Sequence, residues 1–222
     1  MFQGAFLVNR IDRWFWIASA VISGNAFAGD LADVKNPFTV FMQKAEQARR
    51  QAVPPPPAGV QDLQWNQLSP PGWNAESTLR RLNVSRYSDN DPRVAGIMED
   101  IRKEWDKAPI VKTPSNVKFR LTGFPLMVTP GSGPVTTAVV APYNPEGACI
   151  HTPYPPSNQM VLVKLDRPIP RNMSQLPIWV IGRISASPTS SSMGKVGYQM
   201  LDAKWETYPI QKYPLPGYFW PQ

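Results

Sequence analysis

The chain has 222 residues, with 23 Lys and Arg against 16 Asp and Glu for a formal net charge of +7, and it holds one His, one Cys and 26 Pro. One His and one Cys exclude an intramolecular disulfide framework and any multi-His or paired-Cys zinc site built from this chain alone, and a catalytic triad would have to use His151. Proline at about 12% is more than twice the ordinary share of about 5%, which disfavours long helices and deep parallel sheets.

Hydrophobic residues make up 42% and charged residues 18%, enough for one core of about 100 to 150 residues with extensions. Nucleic-acid binding needs basic charge clustered and interleaved with exposed aromatics, whereas here Lys and Arg are scattered. The tight pairs Arg49-Arg50 and Arg80-Arg81 both fall in expected helices, so no nucleic-acid partner is expected.

Residues 1–28 read as an export signal. Arg10 and Arg13 precede an apolar run over residues 14–22, and Ala26-Phe27-Ala28 has the small-x-small form of a cleavage site. The run is too short to span a bilayer, which takes about 20 residues, so cleavage after Ala28 and a periplasmic location are expected, with membrane contact only if the signal stays on. An uncleaved anchor or a helix lying on the membrane surface is the alternative. Cleavage would leave a net charge of +6, in an oxidising compartment where a lone Cys is notable.

Residues 29–60 then read as a helix and a spacer. Asn36-Pro37 starts a helical pattern running to about residue 51, and the four prolines at 54–57 end it as a semi-rigid polyproline stretch. Residues 61–113 hold an aromatic-proline corner, Trp65, Leu68, Pro70-Pro71 and Trp73, which is expected to lie over one edge of a core. A second helix follows in the same stretch. Pro92 sits at its first position, Val94, Ile97, Met98, Ile101 and Trp105 share one stripe, and Pro109 ends it.

From residue 114 the period switches to two. Val117, Phe119 and Leu121 alternate with Lys118, Arg120 and Thr122 in a strand that stops at Gly123, and further strands are expected over 125–129, 135–142, 160–165, 178–184 and 197–208. Turn signals at 131–134, 144–147 and 187–192 separate them. The expected fold is mainly β: a small antiparallel barrel, OB-like with five or six strands, or a sandwich, preceded by one or two helices and occupying residues 114–209. Residues 210–222 form an aromatic and proline-rich tail, which has to pack on the barrel or bind a neighbour.

The soft and titratable chemistry concentrates in the loop over residues 142–159. Cys149 and His151 lie two apart, and in an extended segment such residues point to one face about 6.6 Å apart along the backbone. A thiolate beside an imidazole suits zinc or copper, with Glu146, Tyr154, Met160, water or another protein completing the shell. The same pair equally serves a structural hydrogen bond, and a nucleophilic Cys-His arrangement is a third use. Trp65 and Trp73 of the corner, with Tyr154, Asn158 and Gln159 of the loop, are candidate partner contacts.

At this loop the sequence resembles a known pattern. The run Gly147-Ala148-Cys149-Ile150-His151, then Pro153, Pro155-Pro156 and Asn158-Gln159, resembles the signature of an uncharacterised family of exported bacterial proteins, a domain of unknown function. The Trp65, Leu68, Pro70-Pro71 corner, the run from Leu121 to Leu126, and Pro177-Ile178-Trp179-Val180-Ile181-Gly182 with Gly197-Tyr198 extend the resemblance over about residues 61–208. Thr152 and Tyr154 depart from it, as does Met127-Val128-Thr129, where an acidic residue commonly follows. The helical stretch over 91–108 looks particular to this chain.

The resemblance implies an accessory envelope protein, not an enzyme, sometimes encoded beside metal-handling or export transporters. The functional expectation is therefore an exported module that presents Cys149 and His151 to zinc or copper next to an envelope protein or membrane transporter. The alternative is a structural component of an envelope complex with no bound metal, docking through the aromatic-proline corner, the second helix and the tail.

Overall fold

The computed structural model describes residues 53–83, 86–88, 90–129, 131–145, 152–210 and 213. The expected signal, the expected helix over 36–51, Glu146, Cys149, His151 and the tail beyond Tyr213 lie outside these residues. All of the described residues belong to one compact unit, Met42–Gln222. Among them, no helix is long and apolar enough to cross a membrane.

Eight strands are formed: β1 (Val60–Leu63), β2 (Lys118–Leu126), β3 (Val135–Ala141), β4 (Val161–Ile169), β5 (Ile178–Ser185), β6 (Thr189–Ser191), β7 (Gly194–Val196) and β8 (Tyr198–Thr207). Five of them close a barrel in the order β2-β3-β4-β8-β5, with β5 returning to β2. The closing pairs run from Phe119 opposite Gly182 to Gly123 opposite Ile178, and this ladder decides for the barrel over the sandwich. Counted among the barrel strands alone, the order is first, second, third, fifth, fourth, which is the OB arrangement. The β4–β8 pair is parallel, while the other barrel pairs are antiparallel.

Alternation accounts for the interior. Phe119, Leu121, Val161, Val163, Val180 and Tyr198 are among the side chains that fill it. An extra residue in β8 beside Asp202, whose φ is 51°, breaks the register against both β4 and β5, a bulge of the kind that lets a small barrel bend shut. Gly182 faces this bulge, where a Cβ would stand 2.7 Å from Met200 Cγ.

Two boundaries differ from the sequence reading. Gly123 does not stop its strand: β2 continues through it to Leu126. A Cβ at Gly123 would stand 2.6 Å from the Ala141 carbonyl and from Val140 Cγ1, so the glycine marks a close strand approach instead of a turn. The polyproline stretch is likewise not free. Arg120 of β2, only 5% exposed, holds Asp62 at 2.6 and 2.9 Å, donates to the Pro54 carbonyl at 2.8 Å and lies 4.9 Å from the Trp179 ring centre. The prolines are thereby strapped to the barrel ahead of β1, which pairs in parallel with β2.

Two helices, α1 (Glu76–Leu82) and α2 (Arg93–Trp105), form an arm with a small core of its own, built on Val94, Ile101 and Trp105 with Leu79 and Leu82 against them. Asn83 ends α1 in the left-handed region, φ 47°, which Asn tolerates well. Asp91 starts α2 by accepting the Arg93 N–H at 2.9 Å, and the Arg93 guanidinium on the same carboxylate holds its pKa down to about 2.

Candidate functional site

The corner expected over a core edge forms a 3-10 turn, Trp65–Leu68, at one end of the barrel. Leu68 is fully buried in the barrel core, and the Trp65 indole donates to the Thr122 carbonyl at 2.8 Å. Tyr198 fixes this turn from below. Its hydroxyl donates to the Leu68 carbonyl at 2.7 Å and accepts the Val111 N–H at 2.7 Å, and burial raises its pKa.

The loop between β3 and β4 leaves and returns through pinned residues. The Tyr143 hydroxyl donates to the Pro153 carbonyl at 3.0 Å, and burial pushes that phenol far above the ordinary tyrosine range. Asn144 donates to the Ser174 carbonyl at 2.9 Å, which ties the departing chain to the 3-10 turn Arg171–Gln175. On the returning side Pro155, Pro156, Ser157 and Asn158 are buried. Asn158 donates to the Pro109 carbonyl at 2.9 Å, and the Ser157 hydroxyl reaches the Ala108 carbonyl at 3.4 Å. Gln159 completes the attachment, donating to the Trp65 carbonyl at 2.9 Å and the Ser69 hydroxyl at 2.8 Å.

Three of the five candidate partner contacts, Trp65, Asn158 and Gln159, are thus joined in one bracket beneath the loop. Asn158 is wholly buried, while Trp65 and Gln159 are half-buried. Trp73, half-buried, stands in the turn after the corner, its N–H bonded to the Pro70 carbonyl at 3.2 Å, and Tyr154 is exposed. Cys149 and His151 lie outside the described residues, and among the described residues no three His, Cys, Asp or Glu side chains gather in a metal-binding group. Sequence reasoning placed Tyr143 and Asn144 in the loop and Tyr198 in the family resemblance but gave none of the three a role. The local signal available was the Tyr143-Asn144-Pro145 turn; Tyr198 forms its contacts with Leu68 and Val111 at a distance that no sequence periodicity reports.

A family described as "Protein of unknown function (DUF3299)" matches residues 65–207, which takes in the corner, the helical arm, the barrel and the whole β3–β4 loop. The chain belongs to the DUF3299 family. A crystal structure of a DUF3299 family protein from Pseudomonas aeruginosa PAO1 is 28% identical to this DUF3299 chain, covering 70% of it and 97% of the other, with a TM-score of 0.47. No curated protein matches it. The DUF3299 span begins after the proline strap and β1, so these lie outside the matched residues.

Proposed function

We propose that this DUF3299 protein is an exported periplasmic accessory protein whose β3–β4 loop presents Cys149 and His151 to a zinc or copper ion beside an envelope transporter. The observation that carries this reading is the pinning of both loop ends: the Tyr143–Pro153 and Asn144–Ser174 bonds hold the departing chain, and the Asn158 and Gln159 bonds hold the returning chain. A short segment tied at both ends loses less entropy on gathering ligands than a free one does. Thiolate and imidazole are donors suited to zinc or copper, and two protein ligands leave open positions through which an ion can be handed on.

The test is elemental analysis of residues 29–222 purified from the periplasm without chelators, beside the Cys149→Ser, His151→Ala double variant. Near-stoichiometric zinc or copper in the wild type and none in an equally folded variant is the expected result. No metal in either overturns the reading.

A second reading, a structural component of an envelope complex, draws on a different observation. Leu176, just before β5, and Ile210, just after β8, are 41% and 45% exposed, and the Tyr213 N–H bonds back to the Pro209 carbonyl at 3.0 Å. If this reading holds, removing residues 213–222 abolishes co-purification of an envelope partner, while the Cys149 and His151 variant leaves it intact.

A further inference from the structure

Where β2 ends, β3 ends and β4 begins, over residues 124–126, 139–141 and 161–163, the strands are apolar on both faces. Leu126, Val139 and Ala141 belong to a second cluster outside the barrel interior, with Phe124, Val128 and Leu162 packed against it, and the β6–β7 hairpin covers them with Met193 and Val196. On an OB-like barrel the face around the second and third strands is the usual ligand-bearing one, and here it carries a piece of the chain's own backbone.

That cover is lightly built. Among the described residues, β6 and β7 pair only with each other, three residues to a strand, and such a two-stranded ribbon is marginal on its own. At its base the Gly197 N–H donates to the Ser157 carbonyl at 2.7 Å; beyond that point its main polar attachment is the Lys195 N–H, which donates to Asp106 Oδ1 at 2.8 Å, while the Ser192 hydroxyl reaches the Val128 carbonyl only at 3.4 Å. Gly194, at φ 117°, lets the ribbon come this close, since a Cβ there would stand 2.7 Å from the same carboxylate oxygen. Asp106 follows α2 directly, and its other oxygen accepts from Arg102 of that helix at 3.1 Å.

We infer that the β6–β7 hairpin is a hinged cover over the outer face of β2, β3 and β4, and that Asp106 at the end of α2 is its clasp, coupling the helical arm to the covered face. Swinging the hairpin out about the Gly197–Ser157 bond at its base costs two apolar side chains, one charge-assisted hydrogen bond and the long Ser192 contact, whereas freeing any barrel strand breaks ladders on both its sides. The hairpin then opens before any barrel strand does, and a shift of the arm carries the clasp with it.

Amide hydrogen exchange on the full chain tests this. In the wild type, amides over residues 189–196 are expected to exchange about a hundredfold faster than those of β3 and β4. Asp106→Ala accelerates the hairpin about tenfold further, leaves β3 and β4 unchanged, and increases binding of the apolar dye anilinonaphthalene sulfonate. Asp106→Asn keeps an oxygen for the Lys195 N–H and stays within about twofold of the wild type. Hairpin and β3 amides exchanging together in the wild type, or accelerating equally in Asp106→Ala, would show the hairpin to be a fixed part of the core. Asp106→Asn behaving like Asp106→Ala would remove the clasp from the account. Should Asp106→Ala fail to fold, Gly194→Ala displaces the hairpin backbone from the same carboxylate without touching α2, and the same outcomes apply.

Discussion

Arg120 sits at a position that the alternation of β2 marks as outward, yet it is 5% exposed because Asp62, the prolines and the Trp179 ring enclose it. Arg120→Ala leaves the Pro54 carbonyl and Asp62 without their donor and is expected to cost about 2–3 kcal/mol in denaturant unfolding. Arg120→Lys restores a charge but not the fork or the stacking surface, so it should recover less than half of that loss. Tyr198 makes the companion case. Tyr198→Phe orphans the Val111 N–H and the Leu68 carbonyl at once, for an expected loss of about 2 kcal/mol. Burial raises the phenols of both Tyr198 and Tyr143 in the folded state, so their contribution is complete below the unfolded value of about 10 and is lost as pH climbs past it. The midpoint of unfolding should therefore fall steeply above about pH 10, and Tyr143→Phe should flatten that fall.

Two glycines with opposite surroundings separate close packing from simple chain freedom. Gly123→Ala drives a methyl into the Ala141 carbonyl and Val140, with the Trp65 ring 3.0 Å away, and is expected to cost about 3 kcal/mol. Gly96, inside α2 with nothing within 4 Å of a Cβ, should gain about 0.5–1 kcal/mol on mutation to Ala, seen as a higher unfolding midpoint. Elements with a strong local period were legible in the sequence. Asp91-Pro92 and the stripe from Val94 to Trp105 define α2, and alternation finds β4, β5 and β8 within a few residues. Elements made by distant pairing were not: β1 is four residues long and exists because β2 offers an edge, and β6 and β7 lie in a serine-rich stretch that reads as a turn. Of the loop site, the composition pointed to the segment, but the bonds of Tyr143, Asn144 and Gln159 depend on partners ten to ninety-four residues away.

The domain that folds is larger than the span the family match covers. A chain of residues 53–213 keeps β1, Asp62 and the strap, whereas a chain of residues 65–213 starts where the family match starts and loses all three. The shorter chain is expected to melt about 5–10 °C lower by circular dichroism, and equal melting of the two would mean that the strap adds nothing. The parallel β4–β8 pair has a different consequence, one of timing. β2, β3 and β4 can zip together as successive hairpins, but β8, residues 198–207, must slot between β4 and β5 before every barrel strand has both its neighbours. A ribosome adds roughly 5–20 residues per second from the N-terminus, so that strand emerges last. Until then the sheet lacks its final member, and non-local closure of this kind belongs to the slow class of folding reactions, milliseconds to seconds. The newly made chain thus passes through an interval in which three strands stand paired while β4 and β5 still await the one neighbour they share, an open seam that the last strand to be made has to close.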